Sequence, residues 1–361
     1  MISPQKLFLF MENYKTTYKD YTKSVAIMVS TDRQIFLEKS AVRARMVEYS
    51  KLYKELHIII FSSKRFESKE ISSNCTIYST NSFVSWNYVS DGCRVGNKIL
   101  KSIDKDESIL VTCQDPFETA LVGKYISNMR RNSELLLQIH TDLFSPYFTS
   151  KNIGIKNAIF NKIRLFISKF TLPHAQVIRV VSRKIADSLV KKGIDQDKII
   201  IKPIEVNTDY IRDTQPSFNL KQRFPHYKKI ILLVSRLESE KNVSMALQSM
   251  KILNSKIPDI GLVILGSGSE MPRLKKQAYR LKIEASVAFM GWQTDLIPYY
   301  KGCDVFLNIS WFEGYGMTLV EAKSAGCKIV STDVGIARET GAIIVDWKAE
   351  DIADKLMKVL I

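Results

Sequence analysis

Two acids eight positions apart, Glu313 and Glu321, bracket Gly314 and Gly316 just before a helical pattern that opens at Met317. Free amides at such a helix start can hold a phosphate. A carboxylate two turns further in can accept bonds from the vicinal hydroxyls of a ribose. Glu313, on the loop itself, can meet the hydroxyls of a sugar. Upstream, Ser-Arg-Leu-Glu-Ser-Glu-Lys-Asn from Ser235 to Asn242 directly follows an apolar run. Arg236 and Lys241 there set two cations beside a helix start, which suits a diphosphate. Paired only with Glu238 and Glu240, the same charges would form a solvated loop. Gly266-Ser267-Gly268 follows another apolar run and allows close backbone contact with a ligand, although it lacks the full GxGxxG spacing. His140 closes an apolar run beside Asp142, a position where an imidazole can do acid–base or binding work.

Parallel-sheet architecture would put all these residues where they are needed. Short β-branched runs alternate with helical patterns along most of the 361 residues, the rhythm of an α/β protein. In the first half the strands are expected at Val25–Ser30, His57–Ser62, Ser108–Cys113, Glu134–Ile139 and Val177–Val181, the last being the final strand of that half. Helices are expected at Ala41–Leu56, Pro116–Met129 and Lys184–Lys192. Pro203 to His226 has no clear period and marks a junction. A second series then begins, with strands Ile230–Ser235, Gly261–Leu265, Val287–Met290, Val305–Ile309 and Lys328–Ser331. Its helices are expected at Val243–Ile257, Met271–Leu281, Met317–Ala325 and Glu350–Leu360. Two domains are expected, 1–210 and 211–361. Doubly wound domains bind ligands at the carboxyl ends of their strands, which is where the chemistry-bearing residues fall.

Composition narrows the partners. With 45% hydrophobic and 25% charged residues the chain is neither disordered nor fibrous. Its apolar runs are shorter than the ~18–20 residues of a membrane-spanning helix. Residues up to Lys23 are polar apart from Leu7–Met11, so no secretory signal is expected. The odd set Cys75, Cys93, Cys113, Cys303 and Cys327 has no CxxC pair and reads as reduced thiols. A net charge of +16 points to an anionic partner. Lys151 to Pro203 alone holds twelve Lys or Arg against three Asp. Within it, Ile, Leu and Phe interleave with Lys156, Lys162, Arg164 and Lys169, a composition that suits an interfacial helix on anionic lipid.

Taken together, these motifs resemble the retaining glycosyltransferases of family 4, within the group 1 glycosyl transferases. Glu313 and Glu321 match the family's E-x7-E motif. Val234-Ser235-Arg236-Leu237 with Glu240-Lys241-Asn242 resembles its phosphate-binding loop, Phe289-Met290-Gly291 its base-contacting strand end, and Ser331 to Glu339 the loop after. The match runs from about Lys229 to Asp346. Gln114 to Ala120, Gln138 to Asp142, Val181-Ser182 and Pro203 to Asp209 resemble the looser N-terminal segments, with His140 at the family's cleft histidine.

The resemblance implies an α/β GT-B fold, two doubly wound Rossmann-like domains facing a central cleft. It implies transfer of a hexose or N-acetylhexosamine from a UDP- or GDP-linked donor, with retention of configuration. His140, Arg236, Lys241 and Glu313 would be catalytic. Gly266, Gly268, Met290, Gly314, Tyr315, Gly316, Met317 and Glu321 would hold the donor. No cofactor and no metal are expected; Asp104-Lys105-Asp106 is a DxD, but in a charged turn before a strand. The expected acceptor is a saccharide or a polyprenyl- or glycolipid at an anionic membrane surface, in surface-polysaccharide or glycolipid synthesis. The expected location is the cytoplasm, on the inner face of the cell membrane, and no nucleic acid is expected.

Two features depart from the family. The loop after the first strand, Ser30-Thr31-Asp32-Arg33-Gln34, has no glycine pair, so phosphate contact there would fall to Arg33 or other amides. Members of the family usually continue through helices that return to the first domain, and with the sequence ending at Ile361, just after the expected helix Glu350–Leu360, that crossover is expected to be short or missing. Three alternatives stay open: an inactive GT-B partner subunit, a nucleic-acid-binding protein favoured by charge alone, and a sugar-nucleotide epimerase.

Overall fold

The computed structural model describes Tyr21, Thr22 and residues 24–361. The apolar patch Leu7–Met11 lies outside these residues. The chain divides into two units. The first holds residues up to His140 with Lys162–Val180 and Ala186–Lys202; the second holds Thr141–Asn161, Val181–Ile185 and Pro203–Ile361.

The first unit is built on an eight-stranded sheet. Its strands are β1 (Val25–Ser30), β2 (Glu55–Ile60), β3 (Lys69–Ser72), β4 (Cys75–Ser79), β5 (Ile109–Cys113), β6 (Ser133–Ile139), β7 (Val177–Val180) and β8 (Ile199–Ile201). Their order is β3-β4-β2-β1-β5-β6-β7-β8, parallel except for the β3–β4 hairpin at the edge. The continuous burial of β2 and β5 is what a parallel sheet covered on both faces requires. The helices are α1 (Ala41–Ser50), α2 (Tyr88–Ser102), α3 (Glu118–Asn128), α4 (Ile155–Thr171) and α5 (Arg183–Val190). The division between units passes within α4 and within α5.

Several local differences from the expectations have simple causes. α1 ends at Ser50 rather than Leu56; Tyr53 and Leu56 keep the apolar period going because they pack on the same core from the turn and from β2. α2 was not expected, since Gly92 and Gly96 weaken a helix in isolation. Here they let α2 press on α3: a Cβ on Gly96 would stand 2.5 Å from Ile126. β8 follows β7, so Val177–Val180 is not the final strand of the sheet. β3 and β4 are short, and β3 is largely exposed, which hides their alternation.

The second unit carries β9 (Lys229–Val234), β10 (Ile260–Leu265), β11 (Val287–Gly291), β12 (Val305–Asn308), β13 (Ile329–Thr332) and β14 (Ile343–Val345). The order is β11-β10-β9-β12-β13-β14, all parallel. The junction Pro203 to His226 contains two short helices, α6 (Thr208–Asp213) and α7 (Leu220–Arg223), started by the side chains of Asn207 and Asn219. α8 (Val243–Asn254), α9 (Met271–Leu281), α10 (Ile297–Gly302), α11 (Met317–Ser324) and α12 (Ala349–Leu360) complete the unit. One face of the sheet buries Leu233, Leu262 and Ile264 under α8, α9 and α12; the other packs Leu232, Val263 and Phe306 on Tyr227, Tyr299 and Leu319. Among the described residues no helix is long and apolar enough to cross a membrane.

Leu262 is fully buried in a strand with neighbours on both sides. Leu262→Ala is expected to cost about 2–5 kcal/mol through lost burial and a cavity. Urea unfolding checks it; an unchanged midpoint would contradict the packing described.

Candidate functional site

Each sheet has one point where the chain changes winding direction. In the second sheet it lies between β9 and β12, whose following loops diverge from adjacent strands. Ligands bind there in open parallel sheets. The loop after β9 makes a 3-10 turn, Ser239–Lys241, and Asn242 enters α8 from a left-handed conformation. The loop after β12 carries Ser310 to Gly316, and Gly316, also left-handed, starts α11.

The two loops are fastened to each other at this point. Lys241 Nζ donates to Glu313 Oε1 at 2.5 Å, and Ser310 Oγ donates to the same oxygen at 2.8 Å. Both charged side chains are largely buried, 13% and 17% exposed. The Trp311 amide donates to the Glu240 carbonyl at 2.8 Å. Arg236 behaves differently: its guanidinium is exposed and bonds Glu240 Oε1 at 2.9 Å. Lys241 and Glu313 are therefore brought together, and Arg236 stands beside them on the open side of the same loop.

Neighbouring loops are knitted to this pair through bare backbone. Gly266 has φ +125°, and a Cβ there would stand 1.9 Å from the Ser235 carbonyl oxygen. A Cβ on Gly268 would press equally on the Leu237 backbone. The Leu237 amide donates to the Ser267 carbonyl, and the Gly266 amide to that of Gly291. The approach these glycines allow is thus first of all to the chain's own loop. Met290, half-buried, stands one residue before the end of β11 and accepts from Gln293 Nε2 at its carbonyl. Gly314 is buried, and its carbonyl accepts from Ser182 Oγ at 2.9 Å. The Tyr315 carbonyl accepts from the Ile336 amide at 3.0 Å. Met317 is exposed in the first turn of α11.

Glu321 points at a different neighbour. Its Oε2 accepts from the Tyr300 hydroxyl at 2.7 Å, between α10 and α11. Burial and the Glu321 charge push the Tyr300 phenol well above its ordinary value, so it stays a donor. Asp333, after β13, meets Lys184 at 3.1 Å and Arg338 at 3.0 Å. Burial opposes its ionisation, but Arg338 and Lys184 outweigh it and hold the carboxyl below the usual range.

In the first unit the direction changes between β1 and β5. Gln114 Oε1 accepts from Ser30 Oγ and the Thr31 amide there. Arg33 is already engaged, donating to the Phe61 carbonyl and the Tyr88 hydroxyl. His140 ends β6, with Nε2 3.3 Å from Gln138 Oε1. The ring stands at the surface, yet protein atoms crowd it at longer range. That desolvation, with the Arg179 charge, holds its pKa below the ordinary value near 6.5. Asp104 and Asp106 lie in the exposed turn before β5, at the amino end of the strand.

Sequence reasoning missed Asn308, Tyr300 and Lys184, and it gave Ser235 and Ser182 only as members of matched segments. Ser235 Oγ and Asn308 Nδ2, at the carboxyl ends of β9 and β12, are buried without a hydrogen-bond partner among the described residues. Buried polar atoms are usually satisfied, so these two, at the switch point, are open to a partner from solvent or a ligand. Only their position after an apolar run could have signalled them.

Residues 215–361 match the family described as glycosyl transferases group 1. An uncharacterized glycosyltransferase of Methanocaldococcus jannaschii is 23% identical over 247 residues, which is 65% of this chain and 58% of that protein. The GtfA subunit of a UDP-N-acetylglucosamine–peptide N-acetylglucosaminyltransferase from Streptococcus agalactiae is 33% identical over 223 residues, 61% of this chain and 41% of that one. The chain thus spans between four and six tenths of these two relatives. HepE of Anabaena, solved with UDP and glucose, superposes with a TM-score of 0.67 at 15% identity, covering 93% of this chain and 89% of that one. That likeness shows the fold, two parallel-sheet α/β domains of GT-B type. The segment that matches the glycosyl transferases group 1 family, residues 215–361, contains both loops of the Lys241–Glu313 pair.

Proposed function

We propose that the protein is a retaining, metal-independent glycosyltransferase that moves a hexose or N-acetylhexosamine from a nucleotide diphosphate-sugar to an acceptor. The observation that carries this is the buried Lys241–Glu313 pair at the β9/β12 switch point, inside the family-matched segment. The UDP held by HepE supports a nucleotide-linked donor.

In this reading the bond from the anomeric carbon to the diphosphate oxygen breaks as the acceptor oxygen bonds the same face of that carbon. The electron pair leaves on the diphosphate, and the acceptor proton passes to it. Lys241, Arg236 and the opening amides of α11 stabilise that growing charge. Glu313 holds Lys241 with Oε1 and leaves Oε2 for a sugar hydroxyl. Glu321 meets the ribose, oriented by Tyr300. Gly266, Gly268, Met290, Gly314, Tyr315 and Met317 shape the donor's surroundings, and His140, kept neutral, contacts the sugar or acceptor. The excess of basic residues supports a saccharide or lipid-linked acceptor at an anionic membrane surface, on its cytoplasmic side, in surface-polysaccharide or glycolipid synthesis.

The test is nucleotide release from each common UDP- and GDP-sugar, with and without lipid extract, and product identification by mass. Lys241→Ala and Arg236→Ala are each expected to lower turnover by about 100-fold or more, on the scale of losing one transition-state donor. Glu321→Gln should weaken nucleotide binding by about tenfold, the scale of one charged hydrogen bond. Wild-type turnover in all three would remove the site. Release of nucleotide without a glycosidic product would favour the epimerase reading instead.

Excess EDTA should leave turnover undiminished; abolition that manganese reverses would overturn the metal-independent mechanism.

His140 gives a pH prediction. Its folded-state pKa is lowered, so its share of stability is complete above about pH 6.5 and declines as pH falls through the window below. Imidazole NMR should show a midpoint below that of a free histidine, rising in Arg179→Gln. A midpoint at or above the free value would refute the environment described.

A further inference from the structure

Helix α4 is built inside out. Ile155, Ile159, Phe160, Ile163, Phe166 and Phe170 are exposed, with Ile155 at 66% and Phe166 at 61%. Ile155, Ile159, Ile163, Phe166 and Phe170, spaced by three or four, form one stripe along the helix, and Phe160 stands at its side. The fully buried residues are small, Ala158, Ser168 and Thr171, with Leu165 and Ile167 half-buried beside them. An ordinary surface helix has the reverse arrangement. Lys156, Lys162 and Lys169 are exposed along the same helix, and its seventeen residues include no Asp or Glu. A large apolar stripe among cations, without acids, is complementary to an anionic bilayer and to little else.

The segment leading into α4 is fixed to the donor loops. Tyr147 packs against Trp311, with ring centres 4.9 Å apart, and against Trp347 at 4.5 Å. Phe148 meets Phe312 edge-on at 5.7 Å. Ser239 Oγ donates to the Ile153 carbonyl at 2.9 Å, and Asn161 Nδ2 ties the first turns of α4 back to the Phe148 carbonyl at 2.7 Å. Trp311 and Phe312 belong to the Glu313 loop and Ser239 to the Lys241 loop. The approach to α4 therefore touches both loops of the ion pair, from residues within the second unit.

We infer that the exposed face of α4 docks on an anionic lipid bilayer and that docking, through the Tyr147 ring contacts, tightens nucleotide binding by the donor loops. This rests on the donor-site reading above and adds its regulation. The bilayer orders α4, α4 holds Tyr147 and Ile153, and these hold the loops in the paired arrangement.

The full chain is tested on vesicles of phosphatidylglycerol with phosphatidylcholine, and on phosphatidylcholine alone, at moderate salt. Co-sedimentation with the anionic vesicles only is expected. Phe166→Asp, and separately the triple change Lys156→Glu, Lys162→Glu, Lys169→Glu, should each weaken it at least tenfold. UDP or GDP affinity should rise several-fold on adding anionic vesicles to the wild type. The rise should vanish in Phe166→Asp, and also in Tyr147→Ala, which still binds vesicles. Vesicle binding unaffected by both α4 variants, or absent, would overturn the docking. Self-association abolished by Phe166→Asp, with no vesicle binding, would overturn it in favour of a second copy of the chain. Docking with unchanged nucleotide affinity would overturn the coupling. Failure to bind any nucleotide with or without vesicles would count against the donor reading, while the sedimentation arm still judges the docking.

Discussion

A lysine and a glutamate that begin on loops of neighbouring strands have to reach the same point. β9 and β12 lie side by side, but the chain winds away from them in opposite directions. The Lys241–Glu313 pair closes the gap between their loops, and its burial makes it demanding. Removing one partner would leave the other charged and largely out of water, a costly state. The surroundings follow from that demand. Ser310 adds a donor to Glu313, the Trp311 amide bonds Glu240, and Gly266 lets the Ser235 carbonyl come closer than any side chain would permit. Gly335 does the same beneath Tyr315, where a Cβ would stand 2.2 Å from its carbonyl oxygen.

The pairing also distributes the positive charge. Glu313 offsets part of the Lys241 charge and fixes where its ammonium stands, so in the reading proposed above the cation meets a diphosphate already positioned. Arg236 sits in the opposite situation, exposed and joined to Glu240 by a surface pair of small strength. It can turn toward a ligand at little cost. In the proposed reading, a fixed cation beside a movable one, next to the start of α11, would let a diphosphate bind and still be released.

How far the sequence revealed this depended on the range of the interactions. The second unit's strands were readable because β9 and β10 are continuous apolar runs with motifs directly after them. Glu313, Glu321, Arg236 and Lys241 stood out by type and spacing. More distant partners did not: Tyr300 is twenty-one residues before Glu321, and Lys184 is 149 before Asp333. A tyrosine or serine in an apolar context looks like core until the fold brings a carboxylate to it. α2 was hidden for a related reason, since Gly96 weakens the local signal and is explained only by Ile126 on another helix.

The inward contacts of α4 show why its apolar stripe is surplus to the fold. Thr171 Oγ1 bonds the Pro116 carbonyl at 2.5 Å, Asn161 bonds the Phe148 carbonyl, and Arg164 meets Glu118 at 3.3 Å. These small and polar groups hold the helix without help from Ile155, Ile159, Ile163 or Phe166. If those four served folding, they would face inward, where burying each would stabilise the chain by about 1.5–3 kcal/mol. Facing outward they contribute little of that and add an apolar surface that favours aggregation. Only an apolar surface beyond the described residues can recover their burial, and in the docking proposed above the lysines along the same helix, with no acid among them, favour an anionic one.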